Sequence, residues 1–267
     1  MKNILIFIHD DAGQEARFQV ALDVTRATSG HLTCLDVSLV HAFPGDGMGG
    51  DAGIMMLEYE QQTETANKAQ LQQRLALEDV TWNWIDTIGF LESALEDASS
   101  SCDLIVVSRH CDTFPSPDMD RATAGLVVKT GKPILAVPDI ATGLNLTGTA
   151  LIAWDGSRAA SAAVAAAVPL LQLADCVTIV EVEDGSLKAP AEDAAAHLSR
   201  HGIHPQIVRV PSDGAPASSV ILAKANSGRY AYLVMGGFSH SRFVEALFGG
   251  TTRRMLIESP IPLFLAH

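Results

Sequence analysis

The residues whose types and spacing could do chemistry concentrate in one stretch, "MGGFSHSRFVEALFGGTTRRML", residues 235–256. Gly236-Gly237 and Gly249-Gly250 bracket it, Ser239 stands near its start, and Thr251 and Thr252 precede a helix predicted through "RRMLIES". Glycines let a main chain approach a phosphate closely, and the first N–H groups of a helix point at such an anion. A threonine there caps the helix or turns its hydroxyl to the phosphate. A second chemical group is Asp155 in "WDGS", a carboxylate suited to accepting from ribose hydroxyls or to holding a Mg²⁺ that bridges phosphates. Taken singly, each piece also reads as ordinary structure: a glycine pair as a turn, an Asp or "DGS" as a cap. What distinguishes them is where they fall along the chain.

The chain contains the same unit twice. It opens with "NILIFI", then Asp10-Asp11, an amphipathic stretch through Phe18, Ala21, Leu22 and Val24, and "HLTCLDVSLV". The pattern restarts with "TALIAW", Asp155, an Ala-rich helix and "CVTIVEV", so that Asp10 falls opposite Asp155 and Val37 opposite Val182. Further on, "DLIVVS" (103–108) matches "YLVMGG" (232–237) and "KPILAV" matches "IPLFLA", at a shorter separation. The first half therefore carries an insertion, placed at about residues 41–57, "HAFPGDGMGGDAGIMM". Rich in Gly and Met, with Met48, Met55 and Met56, it reads as a loop, a lid or a contact surface.

Apolar runs such as "LIVVS" and "YLVMG" suit strands covered on both faces, and strand–helix alternation gives an open parallel sheet. The expected fold is α/β: two tandem open doubly wound parallel-sheet domains, at 1–140 and 148–267, joined by the linker "ATGLNLTG". In such sheets ligands bind beyond the strand carboxyl ends, where strand order reverses. That rule gathers Asp155 and Gly156, Val182 to Asp184, and Gly236-Gly237 at one crevice.

A formal net charge of −13 argues against a nucleic-acid partner held by its phosphate backbone, but backbone N–H groups can hold a nucleotide without it. No apolar stretch suits a membrane span, and "MKNILIFIHDD" lacks the layout of a signal peptide. Cys34, Cys102, Cys111 and Cys176 show no ligand spacing, so reduced thiols, a cytoplasmic location and no metal site on the protein are expected. No GxSxG, HExxH or P-loop lysine accompanies His9, His110 or His240, and no catalytic residues are expected. A receiver-like signalling domain would need Asp86 as its phosphoacceptor, and that reading leaves the glycine loop unexplained.

The order strand, Asp-Gly-Ser, Ala-rich helix, "YLVMGG", glycine pair and final "PIPLFLAH" resembles the universal stress protein family in its tandem two-domain form, over essentially the whole chain. ATP-binding members carry Gly, two residues, Gly, nine residues, then Gly-Ser or Gly-Thr. Here Gly236 matches the first glycine, Ser239 replaces the second, and Gly249 matches the third. Gly250 takes the Ser/Thr position, with Thr251 one residue late. The resemblance implies ATP or another adenine nucleotide, with Mg²⁺, bound to the second domain of a stress-response protein. Asp155 would serve the ribose and metal side, and the Val182 backbone the adenine edge. Gly236, Gly237, Ser239, Gly249, Gly250 and Thr251 would line the triphosphate.

In the first half Ser108-Arg109-His110 and "CDTFPSPDMDRATAG" replace that loop, with Asp120, Arg121 and Ala122 in the places of Gly249, Gly250 and Thr251. An acid there repels phosphate, so this half is expected to bind no nucleotide and to act as a scaffold; a small anion site at Arg109, His110 and Arg121 competes with a solvated loop. Family members commonly dimerise through their terminal strands. "PILAVP" and "PLFLAH" could thus support a homodimer or an internal pseudo-dimer. The resulting expectation is a regulatory nucleotide-binding module with at most slow ATP hydrolysis; a ligand-free interaction module is the alternative.

Overall fold

The computed structural model describes residues 1–40, 51–111, 119–237 and 250–267. In the first half the elements are β1 (Asn3–Ile8), α1 (Gln14–Thr28), β2 (His31–Leu39), α2 (Asp51–Leu75) and β3 (Thr81–Gly89). They are followed by α3 (Leu91–Ala98), β4 (Leu104–Ser108), α4 (Met119–Thr130) and β5 (Ile134–Val137). The second half repeats them as β6 (Thr149–Trp154), α5 (Arg158–Leu171), β7 (Cys176–Glu183), α6 (Ala191–Ser199) and β8 (Gln206–Pro211). It ends with α7 (Ala217–Ala225), β9 (Tyr232–Gly236), α8 (Gly250–Glu258) and β10 (Leu263–Ala266).

The two sheets expected from the repeat are one continuous sheet, ordered β3-β2-β1-β4-β5-β10-β9-β6-β7-β8. Neighbours run parallel within each half, and strand order reverses between β1 and β4 and again between β6 and β9. The halves meet where β5 and β10 pair antiparallel, Leu135 opposite Phe264. The terminal strands thus satisfy each other's open backbone groups inside one chain. Alternate residues of β1 feed the two faces: Ile4, Ile6 and Ile8 pack with α1, while Leu5 and Phe7 pack with α3 and α4, as the two-residue period of a strand requires.

Further contacts join the halves. The linker is packed: Leu144 and Leu146 are buried, and the Leu144 N–H donates to Asp23 Oδ2 at 2.7 Å. Arg109, also buried, donates from Nη1 to the carbonyls of Leu256 and Ile257 at 3.1 and 2.9 Å. It thereby closes the carboxyl end of α8, where unpaired carbonyls favour a cation. Arg109 is therefore a brace between the halves and not part of an exposed anion site.

Strand register corrects the alignment of the repeats. β1 and β6 match from Asn3 and Thr149, which puts His9, not Asp10, opposite Asp155. The connection from β1 to β2 is one residue longer than that from β6 to β7, so no single offset serves both strands. By the same register Ser108 stands opposite Gly236 and Arg109 opposite Gly237. The insertion is also reshaped: residues 51–57 form the first turns of α2, and 41–50, with Met48, lie outside the described residues. What it supplies is a helix of 25 residues where the second half has one of 9.

Candidate functional site

At the carboxyl ends of β6, β7 and β9 lies a cavity of about 380 Å³, within the size range of small-molecule sites. Asp155, Val182, Gly236, Gly250 and Thr251 all line it, although they come from four separate places in the chain. Trp154, Asp184, Ser186, Lys188 and Thr252 complete the polar and aromatic part of the wall, with Ile221 and Met235 at its apolar side. Gly237 lies just beyond, its N–H bonded to the Ala266 carbonyl at 2.9 Å. Ser239 and Gly249 fall outside the described residues.

Local sequence explains how these groups are held. Asp155 Oδ1 accepts from the Ser157 N–H at 2.9 Å, and Ser157 Oγ accepts from Ala160 N at 3.1 Å. Ser157 is thus the cap of α5, and Asp155, exposed to solvent, orders the turn before it. The segment after β7 folds back over this turn: Lys188 N donates to the Asp155 carbonyl, and Trp154 Nε1 donates to the Ala189 carbonyl, both at 2.9 Å. Gly156 has φ of 71°, and a Cβ on it would lie 2.0 Å from Ala189 N. Only glycine permits that closure.

Gly236 is required for packing. A Cβ there would meet Ala160 N at 2.3 Å and Ala159 C at 2.5 Å, because α5 begins directly against β9. Gly250, by contrast, has open space where its Cβ would be. It is the first residue of α8, whose leading N–H groups lack helical partners. Val182 is buried, and its carbonyl accepts from Asp184 N at 3.0 Å. The Ser186 hydroxyl and N–H hold Asp184 below the usual carboxylate range. Lys188 and Ser186 escaped the reading of the sequence; their only signal was position, in the loop after the strand that ends at Val182–Glu183.

In the first half the place that corresponds to Asp155 is covered by α2. Glu64 Oε1 accepts from the Asp10 N–H at 3.0 Å and lies 2.6 Å from His9 Nδ1. Asn67 donates to Glu64 Oε2 at 3.0 Å and pairs with Gln14. Burial pushes His9 down, but the Cys111 and Glu64 side chains beside it outweigh that and carry its pKa up to about 10. Below it Arg17, fully buried, donates to the carbonyls of Phe7 (2.6 Å) and His9 (3.1 Å), to Asp11 (3.2 Å) and to the Ser108 hydroxyl. Asp36 is buried, and burial followed by the Glu64 and Asp86 charges raises it to about 7. Asp86 lies on the edge strand β3, three residues short of its end and 2.5 Å from Lys68 Nζ. A receiver's phosphoacceptor closes a strand, so that reading does not fit. Asp120 and Arg121 sit in the first turn of α4, with Arg121 exposed.

Comparison with known proteins identifies the architecture. No family model matches the sequence, and no curated protein matches it. Solved structures do match in three dimensions. A universal stress protein from Archaeoglobus fulgidus DSM 4304 superposes with a TM-score of 0.76 at 16% identity, covering 99% of this chain and 95% of that one. A structure described as a universal stress protein from Pseudomonas aeruginosa UCBPP-PA14 gives 0.62 at 16% identity, covering 100% and 93%. A protein of unknown function from Pseudomonas aeruginosa PAO1 gives 0.61 at 16% identity, covering 100% and 92%. Across its whole length, the chain shares the fold of universal stress proteins, with the α/β unit present twice.

Proposed function

We propose that the second half binds an adenine nucleotide in the cavity at the ends of β6, β7 and β9, and that the chain works as a regulatory binding module in a stress response. One observation carries this reading. Asp155, Val182, Gly236, Gly250 and Thr251, far apart in sequence, line a single cavity at the strand-order switch point. The base would lie toward Val182 and the apolar wall of Ile221 and Met235. The phosphates would run to the N-terminus of α8, where backbone N–H groups favour an anion. Lys188 adds a cation at the rim. The exposed Asp155 carboxylate suits a ribose hydroxyl or a phosphate-bound Mg²⁺, and no described residue beyond its chain neighbours crowds the Cβ position of Gly250 at the start of α8. Among the described residues the lining offers no nucleophile–base pair, and binding without turnover is the expected behaviour.

Calorimetry with Mg-ATP tests this. The wild-type chain is expected to bind one nucleotide, and Asp155→Ala is expected to weaken it. Gly250→Asp should abolish it, since a carboxylate then occupies the anion position while still suiting the start of the helix. Failure of the wild type to bind at millimolar nucleotide would overturn the proposal.

A further inference from the structure

Under α2 in the first half, three potential metal donors converge. His9 follows β1, and Glu60 and Glu64 stand one turn apart on α2, so both carboxylates share a helix face. His9 Nδ1 and one carboxylate oxygen from each glutamate all lie within 4.8 Å of one another. Nδ1 is 2.6 Å from Glu64 Oε1 and 3.5 Å from Glu60 Oε1. His9 is only 1% exposed, its ring set against the Glu64 carboxylate and the Cys111 side chain, and among the described residues the buried Glu60 Oε1 has no aligned hydrogen-bond partner. Leaving a buried carboxylate oxygen unmet is costly. The Asp10 N–H accounts for Glu64 Oε1, and the Leu39 N–H reaches the Glu60 carboxylate, but among the described residues Glu60 Oε1 has no aligned donor of its own.

Charge decides what kind of group would complete the set. Asp10, Asp36, Glu60 and Glu64 all act on this region; against them stand the His9 ring itself, Arg17, which is paired with Asp11, and Lys68, which is paired with Asp86, so carboxylates remain in excess. A buried excess of carboxylates favours a cation. We propose that His9, Glu60 and Glu64 bind one divalent transition-metal ion of the zinc class. An imidazole and two carboxylates supply three donors and leave one position open. Calcium or magnesium would want more oxygen ligands and no imidazole. Bonds of about 2.1 Å set tetrahedral donors about 3.4 Å apart. The His9–Glu60 separation already fits; Glu64 must open by about 0.8 Å to match it.

The test uses the full-length chain, stripped with a chelator and titrated with zinc chloride by calorimetry. Cobalt(II) in its place is read by visible absorption. One ion per chain is expected, with cobalt bands of a four-coordinate site. Glu60→Gln and Glu64→Gln should each weaken binding by more than about tenfold, the scale that even an outer partner of a metal ligand commands. Glu60→Gln is the cleaner variant, since it leaves the Asp10–Glu64 bond in place; unchanged circular dichroism establishes that it folds. The rings of His197 and His201, 5.0 Å apart on the far side of the repeat, are a competing zinc site, so His197→Ala must leave the affinity unchanged. Absence of stoichiometric binding to the wild type would overturn the proposal. So would binding that survives both glutamate variants or disappears in His197→Ala.

Discussion

The two strand-end crevices are built on the same sheet positions and end in opposite states. In the second half Asp155 points to solvent, the segment after β7 is short, and a cavity remains. In the first half the same place holds His9, and the long α2 lowers Glu64 onto it. The difference is one of helix length and side-chain size more than of fold. Among the described residues, the place that Asp155 leaves open in one half holds paired charged groups in the other, and the room that remains there lies between α2 and the ends of β2 and β3, beside Asp36, Glu64, Lys68 and Asp86. Arg17 shows the consequence most clearly, because it ties together β1, β4 and Asp11 with no exposure to water.

Breaking that arrangement should produce the largest effect. Arg17→Met removes the guanidinium and with it the bonds to Asp11, the Ser108 hydroxyl and the Phe7 and His9 carbonyls, although the Asp11 N–H still donates to the His9 carbonyl. Removing one member of a buried ion pair costs about 3–5 kcal/mol, which urea unfolding would report as a large drop in midpoint. A drop below the range of an ordinary surface substitution would mean that water reaches Asp11.

Asp36 sharpens the same contrast through pH. It pairs across the strands with Asp86, whereas its second-half counterpart Glu181 pairs with Arg209 and accepts from it at 3.0 Å. Burial first, then Glu64 and Asp86, raise Asp36 to about 7, against Lys68 and His9. The folded state therefore holds a proton that the unfolded chain releases near pH 4. The stability this supplies is complete below about pH 4 and is lost as pH rises through about 7. Asp36→Asn should remove that slope, so metal-free wild type and variant should differ more in urea midpoint at pH 8 than at pH 5. A gap that is equal at both pH values would show that Asp36 is charged and solvated in the native state.

Much of this organisation was legible from the residues. Apolar runs at both ends of each repeat identified the central strands, because strands covered on both faces carry no polar alternation. Asp155, Val182, Gly236, Gly250 and Thr251 could be gathered at one crevice because residues just after parallel strands share an edge. Three things were hidden, each for a physical reason. A single extra residue between β1 and β2 moved His9 into the place assigned to Asp10, and spacing cannot reveal which strand absorbs such a shift. The role of Arg109 depends on α8, more than a hundred residues away. The His9, Glu60 and Glu64 cluster joins a strand end to a helix that the composition of its first turns disguised as a loop.

The smallest predicted effect concerns which side of a helix–strand contact carries the glycine. In the second half β9 supplies it: Gly236 faces Ala159 and Ala160 of α5. In the first half the helix side supplies it: a Cβ on Gly13 would meet Ser108 Oγ at 2.6 Å, and Ser108 is the counterpart of Gly236. The contact thus needs one glycine, placed on opposite partners in the two copies. Gly236→Ala should cost about 1–3 kcal/mol, the range for overpacking a tight contact, because the atoms it meets are backbone and cannot turn aside. Gly237→Ala, whose nearest neighbour would be Leu265 Cδ2 at 3.6 Å, should be close to neutral. Gly13→Ala should cost less than Gly236→Ala, since it meets side-chain oxygens of Ser108 and Asp139 rather than backbone, though moving the Ser108 hydroxyl loosens its bond from Arg17; Ser108→Ala in the same chain should recover part of the loss. Equal costs at Gly13 and Gly236, with no recovery from Ser108→Ala, would show that the two contacts are not alternative solutions to one packing problem.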